Sequence, residues 1–424
     1  MIETRIFYSP RHTILLTLSY PKVGSIARQD NRIWRNSMLK VAVGHSEQVD
    51  VEDILEEIFE QCEETLEGEA PQAGIVFAAV DLEYQEILSG IRNKWPDLQL
   101  VGCTTDGESS SRLGFVDDSV TLTLLCSDTI EITTGIGRGV SQDVEKATSE
   151  AVEQARNAAT LEPGLCVITP ASMTVSSEAI VNGVKQALGP DTPLYGANAG
   201  DQWQFVETFQ FFNDEVLSDA VPLIMFSGPI SISGAVQSGW KTIGSIGTVT
   251  KAEGNVVFEI DEQPALDFYR NLLGPDATPT GDRPLAILDA NKEINRLRAS
   301  IEAYDPETGS ITFFGDFSVG DQVQVTVANR NEILDGTRAS VRMARDSFPD
   351  GQAPEAVMFF SCSGRKLLLG TRTGEEYDIL KEEIGADLPM FGFYGYGEIG
   401  PSITGESGCE FHNETFVTVL IGSQ

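Results

Sequence analysis

The sequence has few cysteines and histidines, few basic residues and no long apolar run. Because its six cysteines lie far apart and form no Cys-x-x-Cys pair, the chain lacks both the usual zinc-site spacing and the disulfide framework of small secreted proteins. No stretch approaches the roughly 18 consecutive apolar residues of a membrane helix, and the N-terminus lacks the apolar core and cleavage site of a secretion signal. We therefore expect a cytoplasmic protein without membrane insertion.

The scarcity of basic residues excludes another class of partner. The chain has 29 Lys and Arg against 64 Asp and Glu, a formal net charge of −35. Such a surface repels the phosphates of nucleic acids and anionic lipids. We expect no nucleic-acid partner, and we interpret the acidic excess as a solvated surface.

Residues 1–37 differ from the rest of the chain because they are basic, with six Lys or Arg against two acidic residues. Met38 stands directly before a strand-like segment and would make a natural start. We interpret residues 1–37 as a basic N-terminal extension and a mis-assigned start.

Beyond this extension, short apolar runs alternate with amphipathic segments, which is typical of β-α-β units. The pattern predicts an α/β fold with mixed sheets built from three related β-α-β-α-β units. Two units occupy an N-terminal domain, 38–238, and the third occupies a C-terminal domain, 239–424. The glycines and β-branched residues from Gly239 to Gly247 mark this boundary, and several strands between Asn255 and Val327 predict an inserted antiparallel β segment.

Each unit contains a similar glycine motif that ends in a carboxylate. In a β-α-β unit the loops after both parallel strands lie at the same edge of the sheet, where α/β folds bind ligands. The acid could therefore hold an ammonium or hydroxyl group of a ligand, or it could cap the next backbone segment of a tight turn. The motifs are Gly102, Gly107 and Glu108; Gly196, Gly200 and Asp201; and Gly392, Gly397 and Glu398.

The third copy has the richest chemistry, because Tyr394 and Tyr396 add aromatic rings with hydroxyl groups, and Arg365 is predicted in the neighbouring loop. We therefore expect a ligand site centred on Arg365, Tyr394 and Glu398. The full set of candidate ligand-binding residues is Cys103, Thr104, Glu108, Asn198, Asp201, Arg365, Tyr394, Tyr396, Glu398 and His412.

Enzyme chemistry and cofactor binding have weaker support. Cys103 could be a nucleophile, but cysteine is also a common small buried residue, and no Gly-x-Ser-x-Gly, phosphate-loop or His-Glu-x-x-His motif occurs. We expect no enzyme activity and no metal, with a cysteine-dependent hydrolase or transferase as an alternative. His45 and His412 could be axial haem ligands or structural residues, so haem is an alternative where no cofactor is expected.

Three stretches resemble the paired FIST N and FIST C domains, named for F-box and intracellular signal transduction proteins. They are VGCTTDGE, GWKTIGSIGTVTKAEGNVVFEIDEQPALDFY, and FGFYGYGEIGP followed by FHNETF. The resemblance extends from about Met38 and implies a FIST N-like domain over 38–238 and a FIST C-like domain over 239–424.

The resemblance also implies a function. Members of the family are sensory modules proposed to bind small molecules such as amino acids, some are joined to kinases, chemotaxis transducers or cyclases, and some are haem proteins that sense nitric oxide. No stretch of this chain resembles such an output domain. We therefore expect a stand-alone cytoplasmic sensor that binds a small polar molecule and signals through a separate protein such as a kinase or cyclase, with a haem-dependent nitric oxide sensor as the alternative.

Overall fold

Three units of similar connectivity make up most of the structure. The computed structural model describes residues 39–404 and 408–424, so the predicted basic extension, 1–37, lies outside the described residues. The first unit contains β1 (Leu39–Ser46), α1 (Val51–Leu66), β2 (Ala73–Ala78), α2 (Tyr84–Lys94), β3 (Gln99–Thr104), β4 (Glu108–Ser110), β5 (Gly114–Val116) and β6 (Val120–Ser127).

The second unit repeats this order. It contains β7 (Glu131–Arg138), α3 (Val144–Ala158), β8 (Pro163–Ile168), α4 (Ser177–Leu188), β9 (Leu194–Ala197), β10 (Gln210–Phe212), β11 (Glu215–Leu217) and β12 (Ala220–Ser227).

The third unit is interrupted after its first strand. It begins with β13 (Ile230–Gln237), and the inserted segment follows as β14 (Lys241–Glu253), β15 (Val256–Ile260), β16 (Gln263–Pro264), α5 (Ala265–Leu273), β17 (Leu285–Leu288), β18 (Ile294–Arg298), β19 (Ser300–Tyr304), β20 (Ile311–Phe313) and β21 (Gln322–Val327). The unit resumes with α6 (Arg330–Asp346), β22 (Ala356–Cys362), α7 (Ser363–Leu369), a short 3-10 helix (Gly370–Arg372), α8 (Glu375–Ile384), β23 (Met390–Gly395), β24 (Glu398–Pro401), β25 (Cys409–His412) and β26 (Phe416–Ser423). The predicted α/β fold of three related units is confirmed.

Each of the three main sheets is completed by a strand pair from another unit. The strand orders are β1-β6-β2-β3-β10-β11, β7-β12-β8-β9-β24-β25 and β13-β26-β22-β23-β4-β5. The second unit thus supplies β10 and β11 to the first sheet, the third supplies β24 and β25 to the second, and the first supplies β4 and β5 to the third. The inserted strands form a separate antiparallel sheet in the order β18-β17-β21-β14-β15-β20-β19.

The main sheets are apolar on both faces, which explains their nearly continuous hydrophobic runs. One face of each contributes to a shared central core, for example through Val43, Ile224 and Val419. The other face packs against the unit's own helices, so that Ile75 of β2 lies in the central core while its neighbour Val76 lies in the cluster formed with α1 and α2. The helices therefore surround the three sheets.

The first glycine of each repeated motif lies within a strand and not in the turn that follows. Gly102, Gly196 and Gly392 are paired with neighbouring parallel strands. A Cβ atom on any of them would lie 1.8 to 2.0 Å from a carbonyl oxygen of that neighbour. The first glycine thus permits close strand packing, and the chain turns only afterwards, at Gly107 and Gly397, whose φ angles are +129° and +122°.

One further difference concerns the C-terminal half. Arg365 lies on the short helix α7 and not in a loop as predicted, because a seven-residue segment is too short to show the periodicity that indicates a helix. The domain boundary between 238 and 239 stays a prediction. Among the described helices, none is long and apolar enough to cross a membrane.

Candidate functional site

The three glycine motifs meet at one place in the structure. The amide of Asp106 donates to the carbonyl of Tyr394 (2.8 Å), and the amide of Asn198 donates to the carbonyl of Gly397 (2.9 Å). The amide of Gly200 donates to the carbonyl of Thr104 (2.9 Å), which closes the ring of contacts. The repeats therefore form one junction to which every unit contributes.

A cavity of about 680 Å³ opens beside this junction. Its wall combines the end of β22 and the start of α7 with the loop after Asp201 and the inserted segment. This is a volume typical of small-molecule pockets. The residues that give the cavity its chemistry are Phe205, Asp282, Phe314, Ser363, Tyr396 and Glu414.

Aromatic rings form one wall of this cavity. Phe205 stacks on Tyr396, with ring centroids 5.2 Å apart, and on Phe314, at 6.0 Å. Trp203 contacts the edge of Tyr396 at 6.2 Å. Phe205 is 44% exposed and Trp203 is 37% exposed, so the wall reaches the protein surface.

Asp201 holds the loop that carries these rings. Its carboxylate accepts hydrogen bonds from the Tyr396 hydroxyl (2.5 Å) and from the amides of Phe205 (3.1 Å), Val206 (2.7 Å) and Glu207 (3.2 Å). This is the capping role that we considered for the motif's acid. The anchoring matters because three residues of the loop other than glycine have left-handed backbones, a strained conformation: Gln202, Trp203 and Phe205.

Glu414 places a carboxyl group at the cavity wall. The residue is buried, has a left-handed φ of +59°, and its Oε2 has no hydrogen-bond partner among the described residues. Burial, reinforced by the nearby Glu398, raises its pKa well above the usual range. A Cβ at Gly364 would lie 2.0 Å from Oε1, so a glycine there leaves the space that the carboxyl group occupies. Glu414 is thus a buried carboxyl group at the cavity wall with one oxygen available to a ligand.

Glu398 is the second buried acid of this region. Its Oε2 accepts hydrogen bonds from the amide (3.1 Å) and hydroxyl (2.8 Å) of Thr415, while Oε1 has no partner among the described residues. Burial raises the pKa of Glu398 to about 8. It does not line the 680 Å³ cavity, so it influences that cavity through its effect on the Glu414 pKa.

Arg365 and Tyr394, two residues of the predicted centre, contact a buried acid instead of the cavity. Arg365 Nη2 lies 2.6 Å from Oε1 of Glu376, and the Tyr394 hydroxyl donates to Oε2 of the same carboxylate (2.8 Å). Arg365 also donates to Thr337 Oγ1 (2.7 Å) and to the carbonyl of Ile333 (3.0 Å). Their polar groups are engaged within the core, and neither residue lines the 680 Å³ cavity.

The acid of the first unit's motif, Glu108, belongs to a buried chain of side-chain hydrogen bonds. Glu108 accepts bonds from the hydroxyls of Thr105 and Ser119. Ser119 contacts Nε2 of His45 (2.9 Å), whose Nδ1 contacts Ser110 Oγ (2.8 Å). Burial raises the pKa of Glu108 to about 8 and lowers the pKa of His45 to about 3. Both groups are neutral near pH 7 and stabilise the structure.

Cys103 and Thr104 of the same motif are also enclosed. Cys103 is fully buried, and burial raises the pKa of its thiol well above the usual range. This is the opposite of the lowered pKa that activates a nucleophilic cysteine. Thr104 Oγ1 accepts a hydrogen bond from the amide of Phe209 (3.0 Å). The geometry therefore does not favour the cysteine-dependent alternative.

The two histidines do not fit a haem site. Both ring nitrogens of His45 are hydrogen-bonded to serines. His412 is fully buried with Nε2 2.9 Å from the carbonyl of Pro401, and burial lowers its pKa to about 3. Neither side chain lines the 680 Å³ cavity. This arrangement does not favour haem binding, which stays an untested alternative.

Sequence reasoning missed residues of the junction and of the cavity. Asp106 lies at the junction with Oδ2 unpartnered among the described residues, and burial raises its pKa to about 6. Ser363 donates to the carbonyl of Gly395 (3.0 Å) and lines the cavity. One of the missed residues, Glu414, lies in FHNETF, a stretch that carries the family resemblance. The aromatic residues after Asp201 gave a further signal.

Comparison with known proteins identifies two domain families along the chain. The FIST N domain model matches residues 72–263, and the FIST C domain model matches residues 265–401. An uncharacterized protein of Mycobacterium tuberculosis is 23% identical over 375 residues, covering 86% of this chain and 95% of the relative. An uncharacterized protein of Methanocaldococcus jannaschii is 22% identical over 388 residues, covering 82% of this chain and 73% of the relative.

Among solved structures, the chain is similar to a cyanuric acid hydrolase from A. caulinodans, with a TM-score of 0.36 and 10% identity over 91% of this chain and 100% of the other. It is also similar to a chorismatase, with a TM-score of 0.36 and 8% identity over 91% of this chain and 99% of the other. Likenesses this distant carry no functional inference.

Proposed function

Because the chain belongs to the FIST family of sensory and signal-transduction proteins, we propose that it is a cytoplasmic sensor of a small polar molecule. The ligand carries an ammonium group, as an amino acid does, and binds in the 680 Å³ cavity. The observation that carries this proposal is the buried carboxyl group of Glu414, which lines the cavity with Oε2 unpartnered among the described residues.

The lining of the cavity matches a ligand with an ammonium group. A buried acceptor is costly until a donor reaches it, and an ammonium group supplies up to three donors and a compensating charge. The faces of Phe205 and Tyr396 add attraction for a cation. Arg330 is exposed at the same cavity and would meet the carboxylate of an amino acid. The cavity thus offers groups for both ends of such a ligand.

The proposed signal passes through the elements that enclose the cavity. The loop 202–207 and the inserted segment both line it, and Phe205 of the loop stacks on Phe314 of the segment. A ligand that contacts both elements shifts the equilibrium towards the state in which they are ordered. A separate protein, such as a kinase or cyclase, would recognise that state.

A thermal-shift screen of amino acids and simple amines on the purified full-length chain tests the proposal. A ligand at about 100 times its dissociation constant stabilises the folded protein by about 2.7 kcal/mol. We expect Glu414→Gln to remove the shift, because the amide cannot compensate the ammonium charge. The exposed Glu307 provides a matched control as Glu307→Gln, which should retain the shift. The proposal fails if no compound raises the melting temperature, or if Glu414→Gln responds as the unmodified protein does.

A further inference from the structure

A second cavity, of about 730 Å³, lies on the other side of the aromatic wall. Phe205, Phe314 and Tyr396 line both cavities. The rest of the second lining comes from the loop 172–177 before α4, from Asn198 and from the inserted segment. Glu414 lines only the first cavity, so the two have different polar groups.

Asn198 gives the second cavity a buried acceptor. The side chain is 1% exposed, and its Nδ2 donates to Ser177 Oγ at 2.6 Å. Its Oδ1 has no hydrogen-bond partner among the described residues. Since buried amide oxygens are normally paired, this atom indicates a donor on a ligand.

Asp316 gives the cavity a second acceptor, held in place by the helix that follows the loop. Its Oδ2 accepts a hydrogen bond from Ser176 (2.6 Å), and its amide donates to Glu178 Oε1 (3.0 Å). Arg298, a buried cation beside Asp316, pairs with Glu178 (2.6 Å) and is therefore already engaged. Two carboxylates and a net charge of −35 oppose the binding of an anion.

The third property of the cavity is the nearly parallel arrangement of its aromatic rings. Phe205 and Phe314 are nearly parallel, with an interplanar angle of 28°, and Phe205 and Tyr396 are at 25°. Because these three rings also line the cavity, they favour a planar aromatic ring packed against them in an offset or edge-to-face arrangement. Few polar groups against an apolar lining fix the orientation of a ligand in such a pocket.

We propose that the second cavity binds a planar heteroaromatic base or its nucleoside, without a phosphate group. The ring stacks beside Phe205 and Phe314, and its N–H groups donate to Asn198 Oδ1 and to the Asp316 carboxylate. This site is distinct from the amine site, because it depends on neither Glu414 nor Arg330.

Titration calorimetry on the full chain with adenosine, guanosine, cytidine and uridine tests the site. We expect at least one nucleoside to bind, and its 5′-monophosphate to bind about tenfold more weakly because of the carboxylates. Asn198→Leu, which removes the acceptor at similar size, should weaken binding about tenfold. Asp316→Asn is a second, milder variant if Asn198→Leu fails to fold, and Asp276→Asn, an exposed site on the same segment, is the matched control.

Four results would overturn the proposal. The first is that no nucleoside binds, and the second is that nucleoside binding is unchanged in both Asn198→Leu and Asp316→Asn. The third is that 5′-monophosphates bind as tightly as the nucleosides. The fourth is that glucose binds and the nucleosides do not. A nucleoside whose binding is lost in Glu414→Gln but kept in Asn198→Leu would occupy the first cavity, which also contradicts this assignment. Binding of an amine through Glu414 would not affect the conclusion about nucleosides, because the two tests are independent.

Discussion

The hydroxyl of Tyr396 donates a 2.5 Å hydrogen bond to Asp201, 195 positions away in the sequence. Asp201 ends the glycine motif of the second unit, and Tyr396 belongs to the motif of the third. The same hydroxyl accepts a hydrogen bond from the amide of Trp203 (2.6 Å). One phenol group therefore fixes the loop that shapes both cavities.

Tyr396→Phe should loosen this loop while the sheets stay intact. The substitution removes a hydrogen bond to a charged group, a contribution of about 1.5–3 kcal/mol to the free energy of unfolding. Hydrogen exchange should accelerate at the amides of residues 202–207 more than elsewhere. Tyr304→Phe, which removes a hydroxyl from the inserted segment, is the control, and equal exchange in the two variants would contradict the role of Tyr396.

The affinity of an ammonium ligand should rise with pH. Burial raises the pKa of Glu414 well above its usual range, which favours the protonated carboxyl group in the free protein. A bound cation favours the ionised form, and binding then releases a proton. Calorimetry in buffers of different ionisation enthalpy should count about one proton released. Affinity that is independent of pH, or no proton release, would contradict this assignment.

Glu398→Gln should change how stability depends on pH. The pKa of Glu398 is raised from 4.5 to about 8 in the folded state, so its favourable contribution is fully present below pH 4.5 and is lost as pH rises towards 8. Glutamine does not titrate, so the unfolding free energy of the variant relative to the unmodified protein should increase across this range. Urea unfolding at several pH values measures the difference, which should stay constant for Glu307→Gln.

The buried pair of Arg365 and Glu376 should be costly to break. Their side chains are 0% and 1% exposed, so Arg365→Met leaves an unpaired buried carboxylate and should lower the unfolding free energy by about 3–5 kcal/mol. Adding Glu376→Leu should recover much of the loss. For comparison, Arg342 is 54% exposed in its ion pair with Glu383. Arg342→Met should therefore lower the unfolding free energy by about 1 kcal/mol or less. Similar costs for the two arginines would contradict the prediction.

Gly392→Ala should destabilise the third sheet. The added Cβ would lie 1.9 Å from the carbonyl oxygen of Phe359, so the parallel strands β22 and β23 would have to separate. We expect a loss of more than about 2 kcal/mol in urea unfolding. Gly374→Ala is the matched control, because nothing lies within 4 Å of its added Cβ and its φ is −60°. An equal effect at both positions would show that strand proximity does not explain the glycine.

The sequence predicts local structure where periodicity is strong. In α1, Val51–Leu66, the residues Ile54, Ile58 and Cys62 recur at helical spacing in the sequence and form the buried face of the helix. The exchange of strand pairs could not be predicted in this way. β4 is only three residues long, and its sequence Glu-Ser-Ser has no apolar alternation.

The candidate site was only partly predictable for a related reason. The repeated motif indicated Tyr396 and Asn198 as candidates, and both line cavities. The motif could not show that Arg365 forms an ion pair with Glu376, because that pairing depends on how α7 and α8 pack. The position of Glu414 also depends on a left-handed backbone that its sequence neighbourhood does not specify.

The exchange of strands also constrains how the chain can acquire its structure on the ribosome. β4 emerges early in translation, yet its partner β23 lies near the end of the sequence, where Ser110 pairs with Phe391. Contacts between such distant segments slow folding, because a long loop must close before they form. The third sheet therefore cannot be completed until almost the whole chain has been synthesised, and the nascent first unit must keep β4 and β5 unpaired with that sheet until then.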